Sequence, residues 1–277
     1  MSRNKFIVTS LALAIGSFTL GGAAWADRLD DVRKAGVLRV AAFDGNPPFG
    51  YIDPASKKQV GHDIDLATEF AKSLGVKIEL VPTNPANRIP LLTSGKVDVV
   101  FASFTITDER AKAVDFTTPY FLVGQQFLAK KGVLKDAAQI KDIRIGTEKG
   151  TTMESNLRKN YPDAKVVLYD DSPFALAALR NGNVQAITND GVKLTAQWNA
   201  IPDKEKYEIP PITVSKEYLG AAVPKGEARL LEALNTWLVD SEKNGRALAI
   251  YDTWFGPNSK APLPRLLKIG DQRVAAN

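Results

Sequence analysis

The stretch LLTSGKVDVVFASFTITDER, Leu91 to Arg110, reads in order as a helix end, a stop at Gly95, a strand and a polar loop. A helix from about Asn87 to Ser94 ends at the glycine, and Val97 to Ala102 is a short Val-rich apolar run, the mark of a buried strand. AALRNGNVQAITNDG, Ala177 to Gly191, repeats the grammar: helix, Gly182, strand Val184 to Thr188, then polar residues. Polar clusters beyond the carboxyl ends of strands lie where open α/β sheets bind ligands.

Outward from these two stretches the alternation continues. Val37 to Phe43 is a strand, followed by a loop marked by Pro47, Pro48, Gly50 and Asp53-Pro54. Asp63 and Asp65 open a helix that carries Leu66, Ala67, Phe70 and Leu74 at helical spacing up to Gly75, and Val76 to Val81 is the next strand. In the second unit, strand Ile143 to Gly146, helix Thr152 to Lys159, strand Lys165 to Tyr169 and helix Pro173 to Arg180, opened by Ser172, follow in turn. This pattern predicts an α/β protein with parallel strands. Glu227 to Phe255 reads as two amphipathic helices broken near Asn244-Gly245, and the Pro-rich tail from Gly256 as an extended surface segment.

Composition narrows the function. The chain has 277 residues, one His, no Cys and a formal charge of +5, which leaves no disulfide, thiolate metal site or thiol nucleophile and no electrostatic case for a nucleic-acid partner. Residues 1–26 carry Arg3 and Lys5, an apolar stretch from Phe6 to Leu20 and Ala24-Trp25-Ala26, the parts of a secretory signal peptide cleaved after Ala26. The apolar stretch is diluted by Thr, Ser and Gly and falls short of the roughly 20 residues a membrane span requires. The expected product is exported and free in a periplasm.

Two charged residues stand at the strand ends. Thr107 is a plausible N-cap with Asp108 and Glu109 in the first turn, whereas Arg110 opposes the helix dipole there. Its guanidinium could grip a carboxylate with two parallel bonds; the alternative is a surface Arg paired with Asp108 or Glu109. Asp190 could accept hydrogen bonds from an ammonium ion, or could simply initiate the next turn or helix. Together they offer opposite charges to the two ends of a zwitterion.

Gly61-His62-Asp63-Ile64-Asp65-Leu66-Ala67, Ser94 to Asp98, Thr105 to Arg110, Val114-Asp115-Phe116, Pro119-Tyr120 and Trp254-Phe255-Gly256 occur in an order that resembles the bacterial periplasmic amino-acid-binding proteins, the solute-binding components of polar amino acid ABC importers. His62 departs from the usual aromatic or aliphatic residue, and Gln185 stands where an Asp is common. The resemblance implies the two-lobe periplasmic binding protein fold (type II), with lobe 1 over 27–120 and 221–257, lobe 2 over 121–220, hinge crossings near Tyr120 to Gly124 and Lys216 to Gly220, and a surface tail over 258–277. It further implies that Arg110, Thr105 and the backbone around Ser103 hold the ligand α-carboxylate, with Thr152 from the second lobe, and that Asp190 takes the α-ammonium. No cofactor is implied. The partners are an inner-membrane permease and its cytoplasmic ATPase, and a monomer is expected.

Selectivity is the finer question. Asn87 to Leu92 is similar to a segment of acidic amino-acid binders in which the Arg, here Arg88, faces the ligand's side-chain carboxylate; the alternative is a surface ion pair. Asn46 stands where some acidic binders have Lys and suits an amide or another small polar side chain. Thr188 and Glu148 are further candidates, and an inward Glu148 would disfavour an acidic ligand. Aspartate or glutamate is the first expectation, asparagine, glutamine or another small polar amino acid the second. The rival class is an exported cyclohexadienyl dehydratase-like enzyme with Glu148 as general acid; a sensory module is the third.

Overall fold

Val37–Phe43 is the strand on which the first sheet is built. It pairs in parallel with Lys77–Thr83 along its whole length and with Val99–Val100 on its other side. Ala222–Pro224 then inserts between Val99–Val100 and Val114–Phe116, antiparallel to both. The computed structural model describes residues 27–271, so the expected signal segment and its cleavage after Ala26 lie outside the described residues, as does the end of the tail.

The second sheet follows the same plan. Arg144–Glu148 pairs in parallel with Lys165–Tyr169 and with Ala186–Asp190, and Gln125–Lys130 runs antiparallel to Ala186–Asp190. The sheets are therefore mixed: mainly parallel, as expected, with antiparallel strands added from outside the local alternation. The reason is long-range. Phe121–Val123 and Glu217–Leu219 pair as a separate two-stranded antiparallel ribbon, and each continues directly into the antiparallel strand of one sheet. The ribbon thus joins two α/β lobes. The strand pairing is also shorter or shifted relative to the expected Val97 to Ala102 and Val184 to Thr188: it covers Val99–Val100 and Ala186–Asp190.

One repeated device fixes both units. Asp98 Oδ2 accepts from Arg39 N at 2.8 Å, and Gln185 Oε1 accepts from Arg144 N at 2.8 Å. The Gln in place of an Asp keeps the backbone bond and gives up the ion pair that Asp98 makes with Arg39 at 2.7 Å.

Helices pack on both sheets. Ala228–Lys243 and Arg246–Phe255, separated at Gly245 with φ 82°, return to the first lobe, where Leu230, Leu234 and Leu238 join Leu38, Val40, Phe70 and Phe255 in the largest core. Burying each such side chain contributes about 1.5–3 kcal/mol. Trp254 Nε1 donates to Asp65 Oδ2 at 2.7 Å, tying the last helix to His62–Ser73. The described tail is anchored by Arg265 on Glu242 and by Tyr251 donating to the Leu263 carbonyl. Among the described residues no helix is long and apolar enough to cross a membrane.

Candidate ligand-binding site

The strand ends of both lobes bring charge to one buried place. Thr107 caps the short helix Asp108–Ala111 by accepting from Arg110 N, as its position suggested. The Arg110 side chain turns away from Asp108 and Glu109 and lies over the Phe104 ring, 4.8 Å from its centroid. It donates to the Thr105 carbonyl at 2.8 Å and to the Gly150 carbonyl of the second lobe at 2.9 Å. Two bonds leave three of its five N–H donors for another partner. Burial lowers its pKa to about 10, against the pull of Glu217 and Asp190.

Arg88 is buried and forms no surface ion pair. Its Nε donates to Pro85 O, Nη1 to the carbonyls of Ala102 and Ser103, and Nη2 to Gly150 O across the cleft at 3.2 Å. It stacks on Phe104 at 4.4 Å. Two guanidiniums of the first lobe therefore converge on one carbonyl of the second, and burial together with Arg110 pushes the Arg88 pKa well down. Gly150 has φ +73°, and a Cβ there would stand 3.0 Å from Ala86 Cα, so a side chain would be strained by the backbone and would press on the facing lobe.

Asp190 ends its strand and occupies the N-cap position of helix Gly191–Ala200, yet its side chain makes no capping bond. Instead Oδ2 pairs with Lys193 Nζ at 3.0 Å, while Oδ1 is buried without a partner. Glu148 is similar: Oε1 accepts from Asn189 Nδ2 and Oε2 has no partner. Asn189 also approaches Ser172 Oγ, which accepts from Gln197 Nε2 at 2.6 Å. Ser172 therefore braces Glu148 through Asn189, while Asp171 holds the helix N-cap position that sequence reading gave to Ser172. Burial raises the pKa of both carboxyls against the opposing pull of Lys193.

Other polar atoms are also buried without hydrogen bonds: Asn46 Oδ1, Ser103 Oγ, Tyr120 OH, Asp171 Oδ1 and Gln197 Oε1. Unmade bonds on this scale are uncommon in folded proteins and call for an explanation. Ser103 has φ 42°, a left-handed conformation that an L residue seldom adopts, and its N–H donates to Asp63 Oδ2 at 2.7 Å. The backbone N–H of Ser103 is thus engaged and its hydroxyl is not. Burial pushes the Tyr120 phenol well up, so it remains a donor.

Three expected residues sit differently. Thr105 Oγ1 and Thr152 Oγ1 both donate to Glu217 Oε2, at 2.9 and 2.5 Å. Glu217 Oε1 accepts from Asn156 Nδ2 and Ser215 Oγ, so this ribbon carboxylate collects hydroxyls from both lobes. Thr188 Oγ1 donates to Gln126 O at 2.6 Å and accepts from Gln125 Nε2, which ties it to the neighbouring strand. Sequence reading missed Glu217 and Lys193. Neither carries a distinct signal in the sequence, because the burial of Lys193 and the hydroxyls around Glu217 are set by the fold. Among the described residues no group of three His, Cys, Asp or Glu could hold a metal ion.

The arrangement suits a small zwitterion enclosed by two lobes: donors at Arg110 and Ser103, acceptors at Asp190 and Glu148. Known proteins agree in architecture. The L-cystine-binding protein TcyJ of Escherichia coli (strain K12) is 34% identical over 231 residues, covering 82% of this chain and 86% of that protein. The solved solute receptor for L-cysteine of Neisseria gonorrhoeae is 35% identical with a TM-score of 0.77, covering 83% of this chain and 94% of that one. An ancestral amino acid-binding protein, AncCDT-1, described as a precursor of cyclohexadienyl dehydratase, is 34% identical with a TM-score of 0.74 and covers 83% and 99%. A family model matches residues 38–257, the span that carries both sheets and the ribbon, and by that match the chain belongs to the bacterial extracellular solute-binding proteins, family 3.

Proposed function

We propose that this protein captures a neutral polar L-amino acid between its lobes and presents it, chemically unchanged, to an ABC importer. As a member of its family it is a solute-binding protein and not an enzyme. The observation that carries the ligand class is the pair of buried carboxylate oxygens, Asp190 Oδ1 and Glu148 Oε2, that lack donors. An α-ammonium brings three N–H groups to them, while the free donors of Arg110, with the Ser103 hydroxyl, take the α-carboxylate.

The side chain is argued from charge. The Arg88 donors are largely engaged by carbonyls, and Glu148 is inward and buried, so a second carboxylate on the ligand has no strong partner and a close repeller. This favours asparagine, glutamine, serine or cysteine over aspartate or glutamate. That the Neisseria receptor bears the name of a cysteine binder supports a ligand with an uncharged side chain. A dehydratase substrate without an ammonium would leave both carboxylate oxygens without donors, which weighs against that reading. The partner is a membrane permease that recognises the closed lobes, and export proceeds through residues 1–26.

A thermal-shift screen of the twenty amino acids tests this. A ligand bound only by the folded protein raises the melting temperature. The largest shift is expected from a neutral polar amino acid; the largest shift from aspartate or glutamate would overturn the charge argument.

A further inference from the structure

Lys193 is the one cation of the second lobe that points into this buried place among the described residues. Its side chain is 6% exposed, and its ammonium lies 3.0 Å from Asp190 Oδ2. It also sits over two aromatic faces of the first lobe, 5.4 Å from the Phe43 centroid and 5.8 Å from that of Phe49. A Lys in the first turn of a helix gains nothing from the dipole, and burying an ammonium carries a desolvation cost, so this placement is not explained by local stability. The groups that face it are Asp190 and Glu148, with Arg88 acting on both carboxyls. Lys193 acts on both carboxylates from their own lobe, Arg88 acts on them from the other, and each keeps an oxygen without a donor.

We infer that Lys193 is a specificity-determining residue: its ammonium holds the position that a cationic ligand side chain would take, and so restricts the site to amino acids with uncharged side chains. The inference rests on the reading of Asp190 as the ammonium receptor. With Lys193 in place, the ligand's α-ammonium completes the charge balance of the two carboxylates, and a second ligand cation meets a like charge in a poorly solvated place. Without Lys193 the two carboxylates lose the cation of their own lobe, and a diamino acid supplies a replacement. Specificity here comes from a repulsive element as much as from an attractive one.

Calorimetric titration of the wild type, Lys193→Gln, Lys193→Met and the double variant Glu148→Gln/Lys193→Gln separates the outcomes. The neutral probes are glutamine, asparagine, serine and cysteine; the cationic probes are 2,3-diaminopropionate, 2,4-diaminobutyrate, ornithine and lysine, which span a range of lengths. Lys193→Gln keeps a donor for Asp190, so it carries the test if Lys193→Met fails to fold, with circular dichroism and melting as the check. The ratio of the best cationic to the best neutral affinity is expected to rise by at least about tenfold in the single variants and to fall back in the double variant. A ratio within about twofold of wild type in folded Lys193→Gln overturns the role of Lys193 and leaves the proposed ligand class standing. A wild type that binds none of the probes overturns both.

Discussion

Lys193 Nζ stands 3.0 Å from Asp190 Oδ2, an ion pair in which both side chains are almost wholly removed from water. Such a pair is expensive to break from one side, because the survivor is left charged and buried. Asp190→Asn should therefore lower stability by about 3–5 kcal/mol and weaken amino-acid binding by at least about a hundredfold. Denaturant melts and calorimetry check the two effects separately. Wild-type affinity in this variant would take the ammonium away from Asp190.

The buried carboxyls give binding and stability opposite responses to acid. Burial raises the pKa of Asp190 and Glu148, so their attraction for an ammonium is full above the raised values and fades as pH falls through them, at higher pH than an ordinary carboxyl titrates. For folding the sign reverses. The folded state holds the Glu148 proton more tightly than the unfolded chain, so the wild type should gain stability relative to Glu148→Gln as pH falls through the raised pKa. Melting temperatures of the two proteins from pH 8 to pH 4 check this; a wild-type value that falls relative to that of Glu148→Gln on acidification would contradict it.

Arg88 bonds to four backbone carbonyls, one of them across the cleft, and to no carboxylate. Arg88→Met removes their donors, and an unpaired buried acceptor costs about 1–3 kcal/mol. The expected result is a stability loss with an equal loss of affinity across glutamine, asparagine, glutamate and aspartate. A selective loss for the two acidic ligands, measured by calorimetry on the same panel, would restore Arg88 as a side-chain selector.

Glu217 joins the lobes through the hydroxyls of Thr105 and Thr152. Glu217→Ala leaves the hydroxyls of Thr105, Thr152 and Ser215 without this acceptor, and the closed arrangement loses a tie that belongs to both lobes. Ligand affinity should fall about tenfold, by a shift of the open–closed balance toward open. Small-angle scattering of the ligand-free variant should show a larger radius of gyration than wild type; an unchanged radius with unchanged affinity would remove the latch.

The repeated helix–Gly–strand grammar around Gly95 and Gly182 revealed the two α/β units, because burial and turn chemistry act within a dozen residues. It did not reveal the antiparallel insertion of Gln125–Lys130 and Ala222–Pro224, since those strands are placed by a ribbon that pairs Val123 with Glu217 and Phe121 with Leu219, far apart in the chain. Arg110 and Asp190 were legible as charges at strand ends. Lys193 was not: three residues from Asp190, it has the spacing of any surface helix pair, and only the fold buries it. The carbonyl partners of Arg88 have no side-chain signature at all. Thr188, a candidate for the pocket lining, has its hydroxyl drawn to the adjacent strand by Gln126 O.

A crystal structure with the amino acid that gives the largest thermal shift tests the central claim most directly. The account predicts the ligand between the lobes, its carboxylate within hydrogen-bond distance of the Arg110 guanidinium and its ammonium within hydrogen-bond distance of Asp190 Oδ1. A ligand in the reverse orientation, or one bound elsewhere with Arg110 and Asp190 both free of it, would contradict the account.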